Sequence, residues 1–252
     1  MRRVRFVIAL PLLTLALATT AGAQTNAPPL AAMETAVACS LPPSFTGPPA
    51  NALRVIGAQD SMPRALFGPR DLLVVDGGTK AGVQLGQRFF IRRTNHFGRR
   101  DDHFANGART AGWISVVAVN ESTAIAVVDH VCGPILQMDY LEPFVAPVVP
   151  EGADRDEAPG EPDFTSLGRI LVGNEQRETA GAGDFALIDR GAEQGVAAGA
   201  RFSVYRDIGV PGMPLASIGE AVIVSTGQTM ALVRITRARD AVIAGDYVAL
   251  RR

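Results

Sequence analysis

The chain contains one module twice. DLLVVDGGTKAGVQLGQRFFIRR (71–93) lies over DFALIDRGAEQGVAAGARFSVYR (184–206) without a gap, and nine of the 23 positions are identical. These are Asp71/Asp184, Asp76/Asp189, Gly78/Gly191, Gly82/Gly195, Val83/Val196, Gly86/Gly199, Arg88/Arg201, Phe89/Phe202 and Arg93/Arg206. Further on, Gly112–Tyr140 aligns with Gly219–Tyr247, keeping Gly112/Gly219, Ala124/Ala231, Asp139/Asp246 and Tyr140/Tyr247. RVIG (54–57) and RILVG (169–173) mark a shared entry segment. A pattern that recurs at this length predicts two folding units with two cores.

The periodicity inside the repeat is that of strands. LLVV and FALI are short apolar runs bounded by Asp and Gly; FFI and FSV follow a glycine turn. WISVVAV with AIAVV, and AVIV with MALVRI, form two pairs of β-rich segments separated by the hairpin-length connections NES (120–122) and GQT (227–229). No stretch between them sustains a helical face. About five strands per copy with glycine corners predict an all-β chain: two tandem small antiparallel barrel or sandwich modules, closed to hide their edges.

The block G-x-x-x-G-V-x-x-G, at Gly78, Gly82 and Gly86 and again at Gly191, Gly195 and Gly199, has the spacing of a phosphate loop. Its context is wrong for one, because a nucleotide loop leads into a helix N-terminus and this block runs from strand to strand. The six glycines read as structural: a wide turn with positive φ, in which Val83 and Val196 plug the barrel end.

Segments outside the repeat divide the chain. Arg2, Arg3 and Arg5 precede the apolar run FVIALPLLTLALA, and the small residues Ala21 and Ala23 follow. That is the pattern of a secretory signal peptide (1–23) cleaved after Ala23; its apolar run is shorter than the roughly 20 residues of a spanning helix. Residues 24–50, with paired prolines and no periodic apolar face, read as a Pro-rich flexible arm. Residues 145–164 carry Pro147, Pro150, Pro159 and Pro162 and six acids against Arg155, a semi-rigid acidic linker. The modules then span 51–144 and 165–252.

Charge and cysteine usage bound the function. The whole chain has 24 Lys+Arg against 25 Asp+Glu. Loss of the leader's three arginines leaves 21 basic residues against 25 acidic ones, and nothing here builds the basic face of a nucleic-acid binder. An exported chain meets an oxidising compartment, so Cys39 and Cys132 either pair as a disulfide or stay as two buried, unreactive thiols.

Candidate chemistry concentrates in the first copy, in TNHFGRRDDHFANGART. His96, Asp101, Asp102 and His103 are the metal-ligating types, although their spacing matches no closed zinc pattern. Arg92, Arg93, Arg99, Arg100 and Arg109 interleave with Phe97 and Phe104, a combination that offers forked donors for carboxylates or phosphates and rings for a sugar or a protein partner. Asp129 and His130 are adjacent on a strand and therefore face opposite ways, which excludes a dyad. Asp139 and Asp246 read as turn-forming residues. No nucleophile elbow or zinc-protease motif is present, so no catalytic residue and no cofactor is expected.

The unit D-x-x-x-x-D-x-G-x-x-x-G-V-x-x-G-x-x-F-x-V-Y-R, followed by I-G-x-x-x-V and G-D-Y-V, resembles the C-terminal β-domain that accompanies LysM peptidoglycan-binding modules in bacterial envelope proteins. It is more distantly similar to β-domains of flagellar assembly protein T and rod-shape protein C. The likeness is clearest at 184–248, and no LysM segment is recognisable here. It implies a β-module of the periplasm or cell envelope without assigned catalysis. The resulting expectation is a non-enzymatic interaction or scaffold protein whose partner is an envelope protein or cell-wall component. The competing expectation is an envelope polysaccharide hydrolase or metal-binding protein using the His96/His103 loop.

Overall fold

The computed structural model describes residues 28–43, 47–60, 63–95, 107–155, 159–174 and 177–252. Residues 1–23, which the sequence reads as a signal peptide, and the connection containing His96, Phe97, Arg99, Arg100, Asp101, Asp102, His103 and Phe104 lie outside them. Among the described residues the chain is all-β with one α-helix. Module 1 contains β1 (Val55–Ala58), β2 (Leu66–Phe67), β3 (Leu72–Val75), β4 (Arg88–Asn95), β5 (Gly107–Val119), β6 (Ala124–Val131), β7 (Ile135–Leu136) and β8 (Tyr140–Pro143). Module 2 repeats this series as β9 (Pro162–Gly173), β10 (Thr179–Ala180), β11 (Phe185–Ile188), β12 (Arg201–Arg206), β13 (Ala216–Thr226), β14 (Ala231–Ala238), β15 (Val242–Ile243) and β16 (Tyr247–Arg251).

The duplication extends to topology. Module 1 has strand order β1-β3-β6-β5-β4-β8, and module 2 has the corresponding order β9-β11-β14-β13-β12-β16, all antiparallel. Each copy adds a two-stranded ribbon, β2-β7 or β10-β15. The difference is at the seam. β9 is 12 residues long and pairs with both β11 and β16, closing a six-stranded barrel. The four-residue β1 is too short for this, and module 1 meets itself through the Arg54–Tyr140 bridge, with Val55 N–H donating to Asp139 O and Leu141 N–H to Leu53 O.

Alternate residues fill the two interiors. Leu73, Val75, Phe89, Ile91, Ala124, Ala126 and Val128 line module 1; Ala186, Ile188, Phe202, Val204, Ala231, Val233 and Ile235 line module 2. Val83 and Val196 join these cores, the plugging role read from the repeat. The glycine block is a short 3-10 turn, Thr79–Ala81 or Ala192–Gln194. Gly82, Gly86, Gly195 and Gly199 take φ between 73° and 87°. Gly78 and Gly191 do not: both are extended, at φ −131° and −139°. Their constraint is space, since a Cβ would overlap the backbone of Asn120 and Glu121 in one copy and Gln228 in the other. Gly78→Ala should therefore lower module 1 stability by about 1–3 kcal/mol in urea unfolding, by overpacking against backbone that cannot rotate away.

The arm differs from the sequence expectation. It carries helix α1 (Ala32–Cys39), opened by Glu34 accepting the Ala31 N–H at 2.8 Å. No single apolar stripe was visible because α1 serves two partners. Met33, Ala36 and Val37 pack with Phe185, Leu187, Val222, Val224 and Leu232 on the outside of module 2, whereas Leu30, Ala38 and Cys39 pack with Phe90 and Trp113 on the outside of module 1. The linker also packs: Val149 and Ala153 join the module 2 side of this cluster, and Arg201 and Arg234 donate to the carbonyls of Gly152 and Ala153 at 2.7 and 3.1 Å. Among the described residues, no helix is long and apolar enough to cross a membrane.

Candidate functional site

Polar residues that recur in the two copies meet one another. Arg93 ends up beside Asp139, with Nε and Nη2 each donating to one carboxylate oxygen at 2.7 Å; Arg206 does the same to Asp246 at 2.8 and 2.7 Å. The aspartates are buried and accept a third bond, from the backbone N–H of Leu136 or Ile243 at 2.8 Å. In module 2 this pairing holds the Arg206 guanidinium above its ordinary pKa. Asp76 and Asp189 accept the N–H of Arg54 and Arg169, and Asp71 and Asp184 accept the N–H of Gly68 and Gly181. Asp139 and Asp246 do shape turns, but their larger role is to clasp strand β4 or β12 to the segment entering β8 or β16.

A second constellation lies where α1 crosses module 1. The outward residues of β4, β5 and β6 and the chain after β8 bring Phe90, Trp113, His130 and Phe144 together. Phe90 and Phe144 centroids are 4.6 Å apart, Trp113 stands edge-on to Phe90, and the His130 ring stacks on Trp113 at 4.4 Å and 15°. Arg88 lies 3.9 Å over Phe144 and Arg92 lies 4.4 Å over Phe90. Beside His130, Cys39 of α1 forms a disulfide with Cys132. This bond resolves the alternative left open by the sequence in favour of pairing. The expected alternation fails at Asp129: the β5–β6 register shifts here, and its carboxylate accepts from Ser115 Oγ and lies 3.7 Å from Arg88, on the same outward face as Trp113 and the Phe144 ring that Arg88 covers.

The described members of the arginine set are engaged within the module. Arg92 is buried, donating to Thr110 Oγ1 and, at 3.2 Å, to Glu142; Thr110 in turn donates to Ser40 O at the end of α1. Burial draws the Arg92 pKa down, and Glu142 opposes it. Arg93 is in its clasp. Arg109 stands directly opposite Arg93 across β4 and β5, with its Nη2 where a Cβ on Gly133 would come within 2.7 Å. The remaining members, Phe97, Arg99, Arg100 and Phe104, and the metal candidates His96, Asp101, Asp102 and His103, lie outside the described residues.

Tyr140 carries a measurable consequence of this packing. It is 2% exposed, and burial, reinforced by Glu142, pushes its phenol up to about 12. A raised acid pKa means the folded state holds the proton more tightly. The associated stability is complete below about pH 10 and is lost as pH rises through 12, by about 2–3 kcal/mol. Wild type should unfold at a lower alkaline pH than Tyr140→Phe, followed by tyrosinate absorbance and circular dichroism.

A shallow hollow on module 2 is lined by Asn174, Arg177, Thr179, Asp184 and Phe185. Its carboxylate, Asp184, is committed to the Gly181 N–H and lies 3.9 Å from Arg177. Among the described residues that line it, Asp184 is the one carboxylate. The cysteine, histidine and tryptophan grouping was the part hidden from sequence reading. The available signal was His130-x-Cys132, at the end of β6 and directly after it. No protein-family model matches this chain, and no curated protein is significantly similar to it.

Proposed function

We propose that this chain is an exported, non-enzymatic element of the cell envelope, in which paired β-modules act as a scaffold or interaction platform. The observation that supports this most directly is the use made of the recurring polar residues. The Arg93–Asp139 and Arg206–Asp246 clasps, with the Asp76/Asp189 and Asp71/Asp184 backbone bonds, are spent on each module's own architecture. What the duplication preserves is a rigid shape, and rigid β scaffolds present function on their loops. The Cys39–Cys132 bond favours an oxidising compartment, in keeping with the leader pattern and with the resemblance to envelope β-domains.

Expressed with its own leader, the chain should be recovered from the periplasmic fraction beginning at Gln24; retention in the cytosol beginning at Met1 would overturn export. Crosslinking in the native cell should capture an envelope protein or cell-wall fragment, and joint substitution of Phe97, Arg99 and Arg100 should abolish that adduct. Unchanged crosslinking would remove the loop from the proposal. Turnover of cell-wall polysaccharide by the purified chain would replace the scaffold with the hydrolase.

A further inference from the structure

Cys39, His130 and Cys132 place two sulfurs and an imidazole nitrogen within 4.8 Å of one another. His130 lies at the end of β6 and Cys132 directly follows that strand, while Cys39 comes from the last turn of α1. The stack on Trp113 fixes the plane of the His130 ring, and no hydrogen bond among the described residues occupies its nitrogens. All three residues are half-buried, accessible to an ion yet shielded from bulk water. Two cysteines and one histidine around a point are the donor set of a thiophilic d10 cation.

We propose that, when reduced, the chain binds one zinc-type cation through Cys39, Cys132 and His130. A dithiol donor supplies two electrons and two protons to the disulfide, giving two thiols and its own disulfide. The cation then displaces one proton from each thiol, and neutral His130 donates its lone pair. At Zn–S of about 2.3 Å and Zn–N of about 2.0 Å in tetrahedral geometry, the sulfurs need to stand only about 3.7 Å apart, a side-chain adjustment. Water takes the fourth position. Because one ligand arrives on α1, the cation replaces the disulfide as the link between α1 and module 1. Reduction without metal releases the helix; metal binding restores it.

The test uses full-length mature protein reduced with a phosphine, freed of reductant and kept anaerobic. One Co2+ per chain should bind with thiolate-to-cobalt charge-transfer absorption, be displaced by Zn2+, and change the fluorescence of Trp113, the single tryptophan. Cys39→Ser should abolish the charge-transfer band, and His130→Ala should weaken binding by about tenfold or more, the loss of a ligand exceeding that of a supporting residue. Joint His96→Ala and His103→Ala substitution should change neither. Oxidised wild type, whose fold is intact, should show no such band. The proposal fails if reduced protein with two titratable thiols gives no band, or if His130→Ala binds as tightly as wild type.

Discussion

Asp246→Ala should destabilise module 2 by about 3–5 kcal/mol, the cost of stripping one partner from a buried ion pair. The Asp246 carboxylate is 3% exposed and holds three donors: two from Arg206 and the Ile243 N–H. After its removal Arg206 keeps the Ala241 carbonyl and Asp240, which is largely exposed and offers a screened contact of small worth. The Ile243 N–H loses its acceptor as well. Urea unfolding by circular dichroism measures the loss, and a change below about 1 kcal/mol would refute the clasp. Pairing Asp246→Leu with Arg206→Met should recover most of it, because two apolar side chains leave no orphaned charge. Asp139→Ala should act in the same direction in module 1, where Arg93 loses the same bidentate partner.

Removing the disulfide has the other large expected effect. Cys39 and Cys132 are separated by 93 positions, and loop closure of that length restricts the unfolded chain by about 4–5 kcal/mol at most. The Cys39→Ser/Cys132→Ser protein should lose stability toward that figure, with the loss falling first on α1. Its apolar contacts are divided between two modules, so neither alone supplies a full face. Limited proteolysis should cut near Ala32–Cys39 in the variant and spare that segment in the oxidised wild type. Equal protection of α1 in both would show that packing alone holds the helix.

The strands were legible because their determinants are local. LLVV, FALI, FFI and FSV fall within β3, β11, β4 and β12, and the connections NES and GQT are the turns of the β5-β6 and β13-β14 hairpins. Alternation and turn residues act over a few positions, and duplication shows the pattern twice. The helix was not legible, since its apolar residues point to two partners. A partial signal existed: FALI and AVIV are apolar at every position, which marks strands covered on both faces. The outward Phe185, Leu187, Val222 and Val224 are the residues that α1 and the linker cover.

The candidate site divides along the same line. From sequence, Arg92 and Arg93 were residues for a ligand; in the fold one is buried against Thr110 and Glu142 and the other holds Asp139. Identity between copies signalled that Arg93/Arg206 and Asp139/Asp246 mattered, without pairing them. Sequence alone determined the duplicated β-pattern and the positive-φ turns at Gly82, Gly86, Gly195 and Gly199, because these follow from side-chain period, backbone φ and repetition along a short stretch of chain; the ribbons β2-β7 and β10-β15 lay beyond the five strands expected per copy. Only the tertiary structure decided that β9 closes a barrel, that the arm is a helix between modules, and that Cys39, His130 and Cys132 converge. Those depend on which distant segments share a surface, and burial there is decided by the partner.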